Sequence, residues 1–156
     1  MSKESQSIQD WLSQNDVDSE HIKFQQSVHT VDEAVKISGH PVECFTKSIV
    51  MLDSNNKLII AMVPASFRAS TERVRKALDL IERPRTVTAD ESEQMLGQKV
   101  GGNSPLNASQ ATILIDPKVF ERDWILTGGG DDRSLVKIST EELKRVINFQ
   151  EARVRK

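Results

Sequence analysis

The chain has 156 residues, a length at which one hydrophobic core is the usual arrangement, so a single domain over residues 1–156 is expected. With 21 Lys and Arg against 23 Asp and Glu, the net charge of -2 excludes a uniformly basic, duplex-coating protein and leaves room only for a local nucleic-acid patch. Aromatic residues make up 4% with no Tyr, which disfavours single-strand binding by base stacking, and 7 Gly with 5 Pro are too few for a collagenous or linker-like chain.

Cys44 is the only cysteine, so intrachain disulfides and multi-cysteine metal sites are excluded and a reducing, cytoplasmic setting is expected. Residues Met1 to Ser7 lack the apolar core of a signal peptide, and no stretch approaches the ~20 apolar residues of a membrane-spanning helix.

Ile8, Trp11 and Leu12 fall at helical spacing before Asn15-Asp16 breaks the pattern, and a brief strand over Ile22–Phe24 follows. Thr30 and Glu33 form a capping box that predicts a helix from Val31 to Ser38, ending at Gly39. Two apolar, β-branched runs, Thr46–Leu52 and Leu58–Val63, flank the turn residues Asp53-Ser-Asn-Asn and predict a hairpin closed by Pro64. Ser70-Thr71 opens a helix with Val74, Ala77, Leu78 and Ile81 on one face and a basic opposite face. A second capping box, Thr88 to Glu91, starts a helix carrying Met95 and Leu96 that stops at Gly97. Strands are predicted over Ala111–Ile115, Trp124–Thr127 and Leu135–Ile138. A third capping box, Ser139 to Glu142, launches a last helix with Leu143, Val146 and Ile147 inward.

Hairpins alternating with short helices do not follow the rhythm of a doubly wound parallel sheet. The expected architecture is a single mixed α/β domain, its mixed sheet curved or barrel-like with helices packed around it.

The familiar hydrolase signatures are absent: no Gly-x-Ser-x-Gly elbow, no phosphate-binding loop of the Gly-x-x-x-x-Gly-Lys-Ser/Thr type and no His-Glu-x-x-His. His21, His29 and His40 are separated by loops or turns, so no metal site is expected; His29, just before a helix, either lines a pocket or is simply structural. Two glycine clusters remain, Gly97-Gln-Lys-Val-Gly101-Gly102-Asn103-Ser104-Pro105 and Gly128-Gly129-Gly130. Glycines allow backbone amides to approach a ligand closely and to face a developing oxyanion. Strand alternation sets Lys47 on the face opposite Ser48 and Val50, either in solvent or in a cleft.

In chain order these pieces are Thr30-Val-Asp-Glu-Ala-Val, Lys47 in Thr-Lys-Ser-Ile-Val, Val63-Pro64, the Gly97 to Pro105 loop, Ile115-Asp116 and the late glycine cluster. Together, over residues 28 to 148, they resemble the YbaK family, freestanding relatives of the editing domain inserted in bacterial prolyl-tRNA synthetase. The resemblance implies a trans-acting aminoacyl-tRNA deacylase that removes a small non-cognate amino acid from tRNA-Pro or a related tRNA. Lys47, Gly101 and Gly102 would be catalytic, and His29, Ser48, Asn103, Ser104, Pro105, Asp116 and Gly129 would form the substrate site. The partner implied is the aminoacyl-tRNA acceptor end, with a synthetase as a second candidate, and no cofactor or membrane. Gln98 and Asn103 depart from the family pattern, where larger or aliphatic residues are usual.

Between Phe67 and Arg85, six basic residues (Arg68, Arg73, Arg75, Lys76, Arg83, Arg85) meet three acidic ones. Arg68 and Arg73, with Lys99 from the glycine loop, are the expected tRNA contacts. Competing readings are a non-catalytic tRNA-end or synthetase-binding module of the same fold and, less favoured for want of a nucleophile elbow, a small-molecule esterase.

Overall fold

In the computed structural model, residues 7–156 are described; residues 1–6 lie outside them. Five α-helices begin where a hydroxyl side chain accepts an amide of the first turn. They are α1 (Ile8–Gln14, capped by Ser7), α2 (Val31–Ser38, Thr30), α3 (Thr71–Ala77, Ser70), α4 (Ala89–Leu96, Thr88) and α5 (Thr140–Val146, Ser139). At α2 and α4 the capping boxes are reciprocal, and both helices end on a left-handed glycine, Gly39 and Gly97. At α5 the box is half made: Ser139 takes the Glu142 amide, but the Glu142 carboxylate accepts instead from Asp18 N at 2.8 Å and pairs with Arg145. A tertiary contact thus displaces a local one.

Helix α3 is shorter than its periodicity predicts. It stops at Ala77, Asp79 adopts φ 54°, and the turned chain leaves Ile81 96% exposed instead of packed on the helix's apolar face.

The hairpin strands β2 (Thr46–Leu52) and β3 (Leu58–Pro64) pair antiparallel from Thr46–Pro64 to Leu52–Leu58. Asp53 Oδ1 accepts the amides of Asn55 and Lys57 in the turn. The remaining strands are β1 (Ser19–Lys23), β4 (Arg85–Thr86), β5 (Thr112–Ile115), β6 (Trp124–Gly128), β7 (Ser134–Ser139) and β8 (Gln150–Glu151). Strands β4 and β8, two residues each, carry too little pattern to be read from sequence. One sheet runs β4-β2-β3-β5-β8 and the other β1-β7-β6. The β3-β5 and β5-β8 pairs are parallel and the rest antiparallel. The sheet is therefore mixed, as expected, but it divides in two. The halves touch at a parallel bridge between Phe45 and Leu126 and do not close into a barrel.

Strand β3 is buried on both faces, as its unbroken apolar run requires. Leu58, Ile60 and Met62 join Ile115, Ile125, Ile138 and Leu143 in the main core, while Ile59, Ala61 and Val63 pack with Met51, Val74, Leu114 and Val154. A third cluster gathers Val28, Ala34, Phe45, Leu126 and Leu135 beneath α2. Because β4 pairs only with Met51 and Leu52, the Thr46–Ile49 part of β2 has a sheet neighbour on one side alone. That open edge positions the site.

Candidate active site

A cavity of about 300 Å³ lies along the open edge of β2, between it and β6, α2 and the glycine loop. Val28, Val31, Ala34, Phe45, Val50, Leu126 and Leu135 make most of its wall apolar. Of the sequence-predicted residues, His29, Lys47, Ser48, Gly101 and Asn103 line it.

Lys47 sits opposite Val63 and is half-buried. Burial, and secondly the charge of Arg68, lower its pKa below that of an ordinary lysine. Both causes disfavour the ammonium, so the amine gives up a proton more readily than a solvated one. Thr46 shares its strand face with Ser48 and donates its hydroxyl to Leu126 O of β6 at 2.9 Å. Ser48 therefore faces the β6 side as well. Its hydroxyl is buried without a hydrogen-bond partner.

Gly101 has φ 97°, and a Cβ there would meet the Nδ1 of His29 and come within 2.6 Å of the His29 carbonyl oxygen. Only glycine permits both the turn and that approach. Its N–H makes no hydrogen bond among the described residues, whereas Gly102 spends its N–H on Lys99 O (2.9 Å) and its carbonyl on Gly130 N (2.8 Å). Gly102 is buried against the Asp131 backbone, and the carbonyl of Gly102 in turn fills the space a Cβ on Gly128 would need. The two glycine clusters, far apart in sequence, are thus one clamped backbone unit.

The loop is fixed from behind by Gln98, which is buried. Its amide donates to the carbonyls of Ser104 (3.1 Å) and Leu106 (3.2 Å), and its oxygen accepts from Ser104 N (3.0 Å) and Asn103 Nδ2 (3.3 Å). Asn103 Nδ2 also donates to Ser92 Oγ, which donates to Gln98 O. The two departures from the family pattern thus form one satisfied network. Ser104 Oγ accepts from Leu106 N and Thr127 Oγ1. Ser104 and Pro105 are buried behind the loop and do not line the cavity.

Asp116, Gly129, Arg68, Arg73 and Lys99 also lie off the cavity wall. Asp116 is fully buried at the start of a 3-10 turn, where it accepts from Lys118 N. Its oxygens also accept from Val154 N (2.9 Å), Arg155 N (3.0 Å) and Arg155 Nη1 (2.6 Å), so it holds residues 154–155 against the fold. Burial alone would raise this carboxyl, but the amides and the guanidinium outweigh it and keep its pKa below the usual range. Gly129 packs against Ser134 and borders a smaller cavity of about 200 Å³ beside Ile8 and Leu96.

Arg68 follows the end of β3 and is exposed, as are Arg73 and Lys99. In the basic segment, Arg75 and Arg83 are paired with Glu72 and Arg85 with Glu91, while Arg68, Arg73 and Lys76 form no ion pair among the described residues. No group of three His, Cys, Asp or Glu that could hold a metal ion occurs among the described residues. No described helix is long and apolar enough to cross a membrane. Sequence reasoning missed the apolar wall and the Gln98 latch; the helical spacing of Val31 and Ala34 was the available signal for the former.

The mixed α/β fold thus brings a lysine and a clamped glycine loop to one small apolar cavity. The model of the aminoacyl-tRNA editing domain family matches residues 25–146, and the chain belongs to that family. The YbaK-like resemblance read from the motifs is borne out. No curated protein matches the chain. Among solved structures, the hypothetical protein APE2540 is 20% identical with a TM-score of 0.87, covering 97% of this chain and 100% of that one. A protein described as a candidate trans-editing enzyme for prolyl tRNA synthetase is 19% identical with a TM-score of 0.84, covering 100% of this chain and 99% of that one. At such identities the likeness establishes the shared fold.

Proposed function

We propose that the protein is a freestanding deacylase that hydrolyses, in trans, the ester between a small non-cognate amino acid and the 3′ end of tRNA-Pro or a related tRNA. Family membership supports the substrate class. The observation that carries the reading is that one small apolar cavity is lined by Lys47 and by Gly101, whose N–H makes no hydrogen bond among the described residues.

In this reading water attacks the carbonyl carbon, the carbonyl oxygen takes up negative charge, and the bond to the ribose oxygen then breaks. The Lys47 ammonium and the Gly101 N–H stabilise that oxyanion, while Gly102 holds the loop in place. The vicinal ribose hydroxyl orients the water and relays its proton to the departing oxygen, so a catalytic histidine is unnecessary. The apolar wall receives the amino-acid side chain, and its size sets the sieve. Such a sieve is useful because one methylene gives a synthetase only ~1–3 kcal/mol of discrimination.

The test is a panel of purified mischarged tRNAs with amino-acid release followed over time. Release of a small residue supports the reading. Binding without release from any member would favour the non-catalytic module.

A further inference from the structure

Ser48 Oγ is the one buried side-chain nitrogen or oxygen without a hydrogen-bond partner among the described residues. The residue is 7% exposed and lines the cavity. The other buried hydroxyls of the wall are occupied: Thr46 donates to Leu126 O and Thr127 to Ser104 Oγ. Buried hydroxyls are nearly always bonded, so an orphan on a cavity wall marks a place where a ligand group completes the bond. Lys47 is half-buried and Gly101 exposed, whereas Ser48, Val50, Leu126 and Leu135 are buried, so an ester held by the first two would send the amino-acid side chain inward, toward the other four.

We propose that Ser48 is a specificity-determining residue whose hydroxyl bonds to a hydroxyl on the bound aminoacyl side chain, so that the cavity favours seryl or threonyl groups over alanyl or valyl. This rests on the deacylase reading for the identity of the ligand. The basis of selection is the bond itself: a hydroxylated side chain completes the Ser48 hydrogen bond, whereas an apolar one of the same shape leaves the buried hydroxyl as unpaired as before.

Stable amide-linked analogues of aminoacylated 3′-terminal adenosine test binding apart from turnover. The wild-type protein should bind the seryl analogue about tenfold more tightly than the alanyl, and the threonyl more tightly than its isostere valyl by a similar factor. Ser48→Ala should bring each pair to near equality, while Ser48→Thr should keep the preference. Because no partner within the fold is lost, Ser48→Ala should melt no lower than the wild type. Equal binding within the pairs by the wild type, an unchanged preference in Ser48→Ala, or a lowered melting temperature would each overturn the assignment. Turnover is read separately on the matching esters: selective binding without hydrolysis removes the deacylase reading and leaves the Ser48 assignment standing.

Discussion

Burial and, secondly, the positive charge of Arg68 act together on the amine of Lys47 and depress its pKa. Arg68 lies within electrostatic range of Lys47 because Pro64, the last residue of β3, pairs with Thr46 beside Lys47, and Ala65 N then donates to Phe45 O at 2.9 Å, keeping the start of the following segment at that end of the hairpin. A lysine that stabilises an oxyanion works only while protonated. The deacylation rate should therefore fall on the alkaline side at a pH below that of an ordinary lysine. Arg68→Ala removes a like charge, raises the Lys47 pKa and should move this limb to higher pH. The measurement is kcat against pH for both proteins, and coincident limbs would mean that another group titrates.

Lys47→Ala should lower kcat by about 10²–10³, the usual loss for one oxyanion-stabilising donor. Stability should hold or rise, because the substitution removes a partly desolvated amine that forms no ion pair among the described residues. Single-turnover deacylation alongside a thermal melt separates the two effects.

Gly101 and Gly39 both adopt positive φ, but nothing lies within 4 Å of a Cβ built on Gly39, whereas one on Gly101 meets His29. Gly39→Ala should cost only the left-handed backbone penalty of about 1 kcal/mol. Gly101→Ala should cost more and, by displacing the loop from His29, should also depress deacylation. Denaturant midpoints and turnover for the pair test this, with Gly39→Ala retaining full activity.

Much of this was legible in the sequence because it is local. The hydroxyl caps of α2 and α4, the Asp53 turn and the apolar runs of β2 and β3 each carry their signal within a few residues. What escaped was set by distant contacts. Glu142 left its capping box for Asp18, 124 positions away, and the division into two sheets depends on how Phe45 meets Leu126. Within the candidate site, motif resemblance singled out His29, Lys47, Ser48, Gly101 and Asn103, which line the cavity, together with Gly102, Ser104, Pro105, Asp116 and Gly129, which do not. Loop glycines and a capping aspartate look alike in sequence whether they touch a ligand or secure the backbone behind it. Only the bonding of Asp116 to residues 154–155 and of Ser104 to Gln98 distinguishes the two uses.

Gln98→Leu should expose how far the loop depends on its latch. The substitution keeps the bulk but strands the Ser104 amide and the Ser104 and Leu106 carbonyls in the interior. A loss of about 2–4 kcal/mol is expected, from one to two uncompensated buried groups after relaxation. Turnover should fall in the folded protein as well. A variant with wild-type stability and turnover would show that the glycine clamp alone holds the loop.

The salt dependence of tRNA binding tests where the acceptor end lies. Net charge gives no help at -2, and half of the basic segment is already neutralised, since Arg75, Arg83 and Arg85 are engaged by Glu72 and Glu91. Arg68 and Arg73 are exposed and form no ion pair among the described residues, and Arg68 is near enough to Lys47 to perturb it, so phosphates of the single-stranded 3′ end are expected to pass there. Each phosphate contact contributes a slope of roughly -0.7 to log K against log salt on a single strand. Replacing both arginines by Ala should weaken binding and flatten the slope by about 1.4, if each makes one contact. The preference among amino acids should be unchanged, because phosphate contacts position the strand without reading what it carries. Arg83→Ala serves as the control: its guanidinium is committed to Glu72, so affinity and slope should stay near wild type. Affinity titrations across a salt series decide the question. Equal slopes for wild type and the double variant would place the tRNA surface away from Arg68 and Arg73.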